Sequence, residues 1–163
     1  MLQDKGVDKI HFLMVGAGPE KQRLTESAQS GHLSNISFFS PIPKTQIPHF
    51  LDSADLLVLT KRRTELYKYG ISFLKIFDYM MSAKPVIWAV DSINNPVAEA
   101  KCGISVPPED PQAMATAIVQ LCEMSKEERR EMGKRGYEYV MKYHSVPVLA
   151  KKLLEVMEDV KRD

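Results

Sequence analysis

Two short stretches carry residue types and spacings suited to holding a phosphate-bearing ligand. The first is VGAGPE, residues 15–20. Gly16 and Gly18 fall between an apolar run and a helical one, where a glycine turn lets backbone N–H groups and the positive end of a helix approach an anion closely. The second is YKYGISFLKIFDYMMSAKPVI, residues 67–87. Gly70, Ile71 and Ser72 read as the loop leaving a strand, with a helix expected from about Ser72 to residue 83. The amides of Ser72, Phe73 and Leu74 would form a cradle for negative charge. Phe73, Ile76, Phe77 and Met80 recur at helical spacing and are expected in the core. Lys75 and Asp78 share a different face. They either form a surface ion pair worth a few tenths of a kcal/mol, or Lys75 meets a phosphate while Asp78 accepts hydrogen bonds from a pair of sugar hydroxyls.

Competing chemistries have weaker support. VGAGPE begins like a dinucleotide fingerprint, but the third glycine of that pattern falls at Lys21, and the next strand ends in Phe38, Phe39 and Ser40 with no acidic residue for a ribose. NAD or FAD binding therefore stands as a lesser reading, beside a purely structural tight turn. His11, His32, His49 and His144 are scattered without metal-ligand spacing. The absence of an Asp-x-Asp pair to hold a divalent ion against a diphosphate predicts ligand binding without an essential metal, and no cofactor is expected. No nucleophile–base set can be assembled, so no catalytic residue is assigned. Lys61, Arg62 and Arg63, with Tyr67 and Lys68 nearby, form a basic loop beside the proposed phosphate site. It either adds positive potential toward a diphosphate or anionic lipid headgroups, or is a solvated loop.

The elements that must position these residues alternate in type. Apolar runs at 10–15, 35–39, 55–59, 85–90 and 103–106 read as strands buried on both faces of a parallel sheet. Helices are expected at 19–31, 45–53, 72–83 and 95–101. Pro19, Pro96 and Pro111 suit first helical positions, with Asn95 and Asp110 as caps. Met114, Ile118, Leu121 and Cys122 predict a core stripe on the helix after Asp110, and Ser125 with Glu128 a capping box opening a helix at 126–143. A last helix near 146–161 places Val146, Leu149, Leu153, Val156 and Val160 on one face, expected to pack across the domain. The Met80–Met81 pair and Tyr137, Tyr139 and Tyr143 read as packing. Strands alternating with helices predict a doubly wound, Rossmann-like α/β fold with helices on both faces and a helical tail from about residue 126.

Composition sets the outer bounds. The 163 residues fit one domain able to bury a core without disulfides or metal. Twenty-two Lys and Arg against 21 Asp and Glu leave a net charge of +1, which removes the whole-chain electrostatic case for nucleic acid. Two cysteines, Cys102 and Cys122, make neither a disulfide scaffold nor a zinc site and fit a cytoplasmic protein. No apolar run approaches the roughly 20 residues that span a bilayer.

The run GISFLKIFDYMMSAKPVI resembles the donor-site helix of retaining glycosyltransferase family 4, of GT-B architecture, closest to bacterial polysaccharide and aminosugar transferases. FLMVGAGPEKQRL, NISFFSPIPKTQIPHFLDSADLLVL, CGISVPPEDPQAMATAIVQL and MGKRGYEYVMKYHS agree with that family in order and spacing. The resemblance implies transfer of a sugar from a nucleotide diphosphate donor, UDP-linked in this branch, to an acceptor hydroxyl with retention, in bacterial surface polysaccharide synthesis. It implies that Asp78 matches the second acid of the family's E-x7-E motif, which binds the donor ribose, and that Gly70 stands where the first acid belongs. Ser72, Phe73 and Leu74, with Lys75, match the diphosphate-binding segment, although Phe73 and Leu74 replace a Pro and an Asn of closer relatives. Phe39, Ser40, Pro41 and Ile42 match the segment along the nucleobase, and Gly16 and Gly18 the glycine turn. A non-catalytic nucleotide-sugar-binding or regulatory module is the rival reading.

The family pattern also implies an amino-terminal acceptor-binding domain absent from these residues, and a missing first strand–helix unit whose strand would be central in a 3-2-1-4-5-6 sheet. MLQDKGVDKI is too short and polar to replace that unit. The expectation is that the strands at 10–15 and 55–59 close up, or that another chain, such as a second copy, fills the gap. A fragment of this kind should bind donor weakly and catalyse nothing alone. In the whole protein a peripheral position on the inner face of the membrane is also compatible.

Overall fold

The computed structural model describes residues 10–160. The opening segment read as too short for a strand–helix unit lies, but for Ile10, outside them. The chain divides into two compact units, at residues 1–50 and 51–163.

In the first unit β1 (Phe12–Val15), α1 (Glu20–Ser30) and β2 (Ile36–Phe39) form a β-α-β motif. The strands are parallel, in a register that runs from Phe12 opposite Ile36 to Val15 opposite Phe39. Pro19 has helical φ and ψ just ahead of α1, as a ring locked near φ −65° allows. β1 is not buried on both faces as its apolar run predicts. Among the described residues it pairs with β2 alone, and Leu13 and Met14 are more than 40% exposed. The helix expected at 45–53 is a 3-10 turn, Lys44–Gln46, followed by α2 (Ile47–Asp52), which runs on into the second unit.

The second unit is built on three parallel strands, β3 (Leu57–Thr60), β4 (Val86–Ala89) and β5 (Gly103–Ser105), in that spatial order. β4 is central and wholly buried, which explains its unbroken apolar run. Among the described residues the strands form two sheets, one in each unit. The helices are α3 (Leu74–Met81), α4 (Pro96–Ala100), α5 (Pro111–Glu123), α6 (Lys126–Tyr143) and α7 (Val146–Val160). A 3-10 turn at Glu65–Tyr69, unforeseen in the sequence, is capped by Thr64, whose hydroxyl accepts from the Leu66 amide.

Local chemistry starts three helices where expected. Asn95 accepts from the Ala98 amide at 3.0 Å and Asp110 from the Ala113 amide at 2.9 Å, each followed by a proline. Ser125 and Glu128 close a capping box, and its hydrogen bonds hold the Glu128 carboxyl below its ordinary value. α3 contributes Ile76 and Met80 to the core, with Phe73 and Phe77 half-buried. Gly133 of α6 lies so close to the turn after α3 that a methyl group there would fall 1.9 Å from the Ala83 carbonyl oxygen.

Two expectations about the helices fail. The buried face of α5 is Ala115, Ala117, Ile118 and Leu121, while Met114 is half-buried and Cys122 exposed. The stripe is rotated toward the small alanines that let α5 sit close on β4. α7 forms with its apolar face intact, but none of its residues is buried, and Val146, Leu153, Val156 and Val160 are 60% or more exposed. Among the described residues no helix is long and apolar enough to cross a membrane.

Candidate functional site

In the first unit the glycine turn follows β1 directly. Gly16 has φ +148°, a conformation open to glycine, and no atom lies within 4 Å of where a side chain on Gly16 or Gly18 would begin. The turn is tied to the end of β2 through one carbonyl: the Phe39 oxygen accepts from the Gly16 amide at 3.3 Å and from the Lys21 ammonium at 2.9 Å. Lys21 therefore uses its side chain where a dinucleotide fingerprint requires a third glycine. Phe39, Ser40 and Pro41 are exposed and Ile42 half-buried, so the structure joins the two segments expected to face a nucleobase and a phosphate.

In the second unit the helix expected from about Ser72 begins two residues later. Ser72 and Phe73 are not helical: α3 begins at Leu74, with Phe73 extended at φ −90°, ψ 107° as its cap. The Ile76 amide already donates to the Phe73 carbonyl at 3.0 Å, so the first-turn amides with no partner among the described residues are those of Leu74 and Lys75. The reason lies in tertiary structure. The Asn94 side chain grips Ile71 at both ends, its Oδ1 accepting from the Ile71 amide at 2.9 Å and its Nδ2 donating to the Ile71 carbonyl at 2.8 Å. Asn94 is held in turn by the Ser92 hydroxyl, which donates to its carbonyl at 2.8 Å. This clamp keeps residues 71–73 out of the helix. Gly70, ahead of it, has φ +98° and ψ 163°, a region essentially restricted to glycine.

Leu74, Lys75 and Asp78 are all exposed. Among the described residues Lys75 and Asp78 form no ion pair, so the pairing weighed from their spacing is not made. The basic loop is partly committed. Arg63 pairs with Asp91 at 3.3 Å and Lys68 with Glu65 at 3.2 Å, whereas the Lys61 ammonium lies 5.0 Å from the Phe73 ring centre, beside the start of α3. The Tyr67 ring meets Phe73 edge-on at 5.6 Å. Phe73 is thus held between a cation and a ring.

A cavity of about 240 Å³ lies under this loop, lined among others by Ser72, Phe77, Trp88, Glu99, Tyr139 and His144. Tyr139 donates to the Glu99 carboxylate at 2.5 Å; burial, then this bond, pushes the phenol up to about 12. His144 stacks on Phe77 at 4.6 Å, and burial, then Lys152, lowers its pKa. The indole N–H of Trp88 has no partner among the described residues. From the sequence, Tyr139 reads as packing and His144 has no metal-ligand spacing. Glu99 lies 40 residues from Tyr139, and no spacing signals the cluster. A second, more open groove of about 440 Å³ runs between β5 and α5 and holds none of the expected site residues.

The sequence model described as "Glycosyl transferases group 1" matches residues 1–124. The chain belongs to this family. No curated protein sequence matches it. Among solved structures, this glycosyltransferase domain is similar to HepE of Anabaena in complex with UDP, at 17% identity and TM-score 0.74, covering 93% of this chain and 42% of that one. It is similar to an α,α-trehalose-phosphate synthase (UDP-forming) of Burkholderia vietnamiensis, at 15% identity and TM-score 0.73, covering 99% and 39%. Sucrose-phosphate synthase of Thermosynechococcus elongatus gives 21% identity and TM-score 0.71, covering 92% and 38%. The chain spans about two-fifths of the length of these proteins. The likeness places the glycosyltransferase domain in the Rossmann-like GT-B fold.

Proposed function

We propose that this chain is the donor-binding part of a retaining glycosyltransferase of family 4, carrying a sugar from a UDP-linked donor to an acceptor hydroxyl in bacterial surface polysaccharide synthesis. The observation that carries the reading is the free first turn of α3 beyond the carboxyl end of β3, with Asp78 exposed one turn further along. In open α/β sheets that end is where ligands bind. In this reading the Leu74 and Lys75 amides, the positive helix end and the Lys75 ammonium steady the leaving diphosphate as the glycosidic bond breaks. Ser72 and Phe73 shape the approach to it. Asp78 accepts hydrogen bonds from the ribose hydroxyls. Within the first unit, Phe39, Ser40, Pro41 and Ile42 are the candidate nucleobase-binding residues, and Gly16 and Gly18 the open glycine turn beside them. The acceptor is a glycan or lipid-linked sugar held by a further domain, so this chain alone binds donor weakly and transfers nothing. The protein works in the cytoplasm, or at the inner face of the membrane as part of a larger chain.

One observation favours a second reading. The first acid of the family motif is replaced by Gly70 in a backbone conformation that refuses other residues, which fits a nucleotide-sugar-binding module without transferase activity. Titration calorimetry with UDP, GDP and NAD tests the donor reading: UDP should bind, and binding of NAD alone would overturn it. Transfer measured from UDP-sugars, with the acceptor-binding part supplied, separates enzyme from module.

A further inference from the structure

We infer that Asn94 is a positioning residue for the donor diphosphate, acting through the backbone of Ile71; the inference rests on the donor reading above. The Asn94 amide engages the Ile71 amide at 2.9 Å and the Ile71 carbonyl at 2.8 Å across 23 residues of sequence. Nothing else in the sequence around residue 94 demands an asparagine: the cap of α4 is the next residue, Asn95, whose side chain accepts from the Ala98 amide. The Asn94 carbonyl is itself anchored by Ser92, and the neighbouring Ile93 amide donates to the Tyr67 carbonyl at 3.4 Å. The β4–α4 connection therefore grips the segment before α3 at two places. Among the described residues Ile71 and Ser72 carry no helical hydrogen bonds that would fix them, Phe73 enters the helix only through its carbonyl, and Gly70 ahead of them is the most permissive residue available. Without Asn94 the segment could join α3 or swing free, and the cap at Phe73 would be lost. The aim of the Leu74 and Lys75 amides then becomes something the ligand must organise for itself on binding, at a cost in affinity.

The consequence is specific to the phosphate-bearing part of the donor. Asn94→Ala should weaken UDP binding about tenfold and leave the affinity for uridine unchanged. Hydrogen exchange supplies the readout independent of ligand. In the free protein the Ile71 amide should be protected, should exchange about tenfold or more faster in Asn94→Ala, and should stay protected in Asn94→Asp, whose carboxylate still accepts from it. An Asn94→Ala protein whose Ile71 amide exchanges as in the parent, or whose UDP and uridine affinities fall together, overturns the inference. A parent chain that binds no UDP overturns the donor reading itself, and the exchange data then show whether Asn94 remains a device of the fold alone.

Discussion

Replacing Gly70 separates backbone strain from side-chain chemistry in the loop just ahead of α3. At φ +98° and ψ 163° any L-residue is strained by about 1–3 kcal/mol. Space is not the obstacle. A Cβ there would sit 3.6 Å from the Asn94 Oδ1 and 3.8 Å from the Ile93 Cγ2, both ordinary contacts. The loop can escape the strain by rotating, but that surrenders the two hydrogen bonds from Asn94 to Ile71, at about 1 kcal/mol each. Either route costs about 2 kcal/mol, and the cost belongs to the backbone rather than to the side chain added. Gly70→Ala and Gly70→Glu should therefore destabilise equally. With a urea slope of about 2 kcal/mol/M, both midpoints should fall by about 1 M. The single tryptophan, Trp88, is buried in β4 and makes its fluorescence a probe of the second unit. A Gly70→Glu protein as stable as the parent, or well separated from Gly70→Ala, would refute this reasoning.

Two further expectations follow from the packing. Gly133→Ala places a methyl 1.9 Å from the Ala83 carbonyl oxygen, so α6 must shift; the resulting overpacking, about 1–3 kcal/mol, exceeds the usual helical gain of about 1 kcal/mol from Gly to Ala, and thermal unfolding should show a net loss. An unchanged or raised Tm would count against that close approach. His144 has a pKa depressed below 6.5 by burial, so its neutral form is favoured in the folded state. Its contribution is complete above pH 6.5 and is lost as pH falls through the lower folded value. Stability measured from pH 7.5 down to 5 should decline in the parent and decline less in His144→Phe; identical profiles would exclude His144 as the cause.

What the sequence discloses here tracks how local the controlling interaction is. The starts of α4, α5 and α6 are readable because Asn95, Asp110 and the Ser125–Glu128 pair act within three residues of themselves. The buried run of β4 is readable because both of its faces and both of its edges are covered. The start of α3 is misplaced because the residue that decides it, Asn94, lies 23 positions away from Ile71. The apolar stripe of α7 is legible but not its surroundings, since periodicity names a face and not what covers it. At the site, the exposed face shared by Lys75 and Asp78 follows from helical spacing, while the grip of Lys21 on Phe39 and the Glu99–Tyr139–His144 cluster arise only when distant segments meet.

The central claim is that Asp78 and the start of α3 hold the ribose and diphosphate of a uridine nucleotide. Calorimetric titration of UDP into the parent and into Asp78→Ala tests it most directly. Asp78 is exposed and among the described residues pairs with no cation, so its removal should leave the fold intact, as the unfolding transition can verify. UDP should bind measurably to the parent and about tenfold or more weakly to the variant, the worth of hydrogen bonds to a charged acceptor. Equal affinity in the two proteins, with both folded, would contradict it.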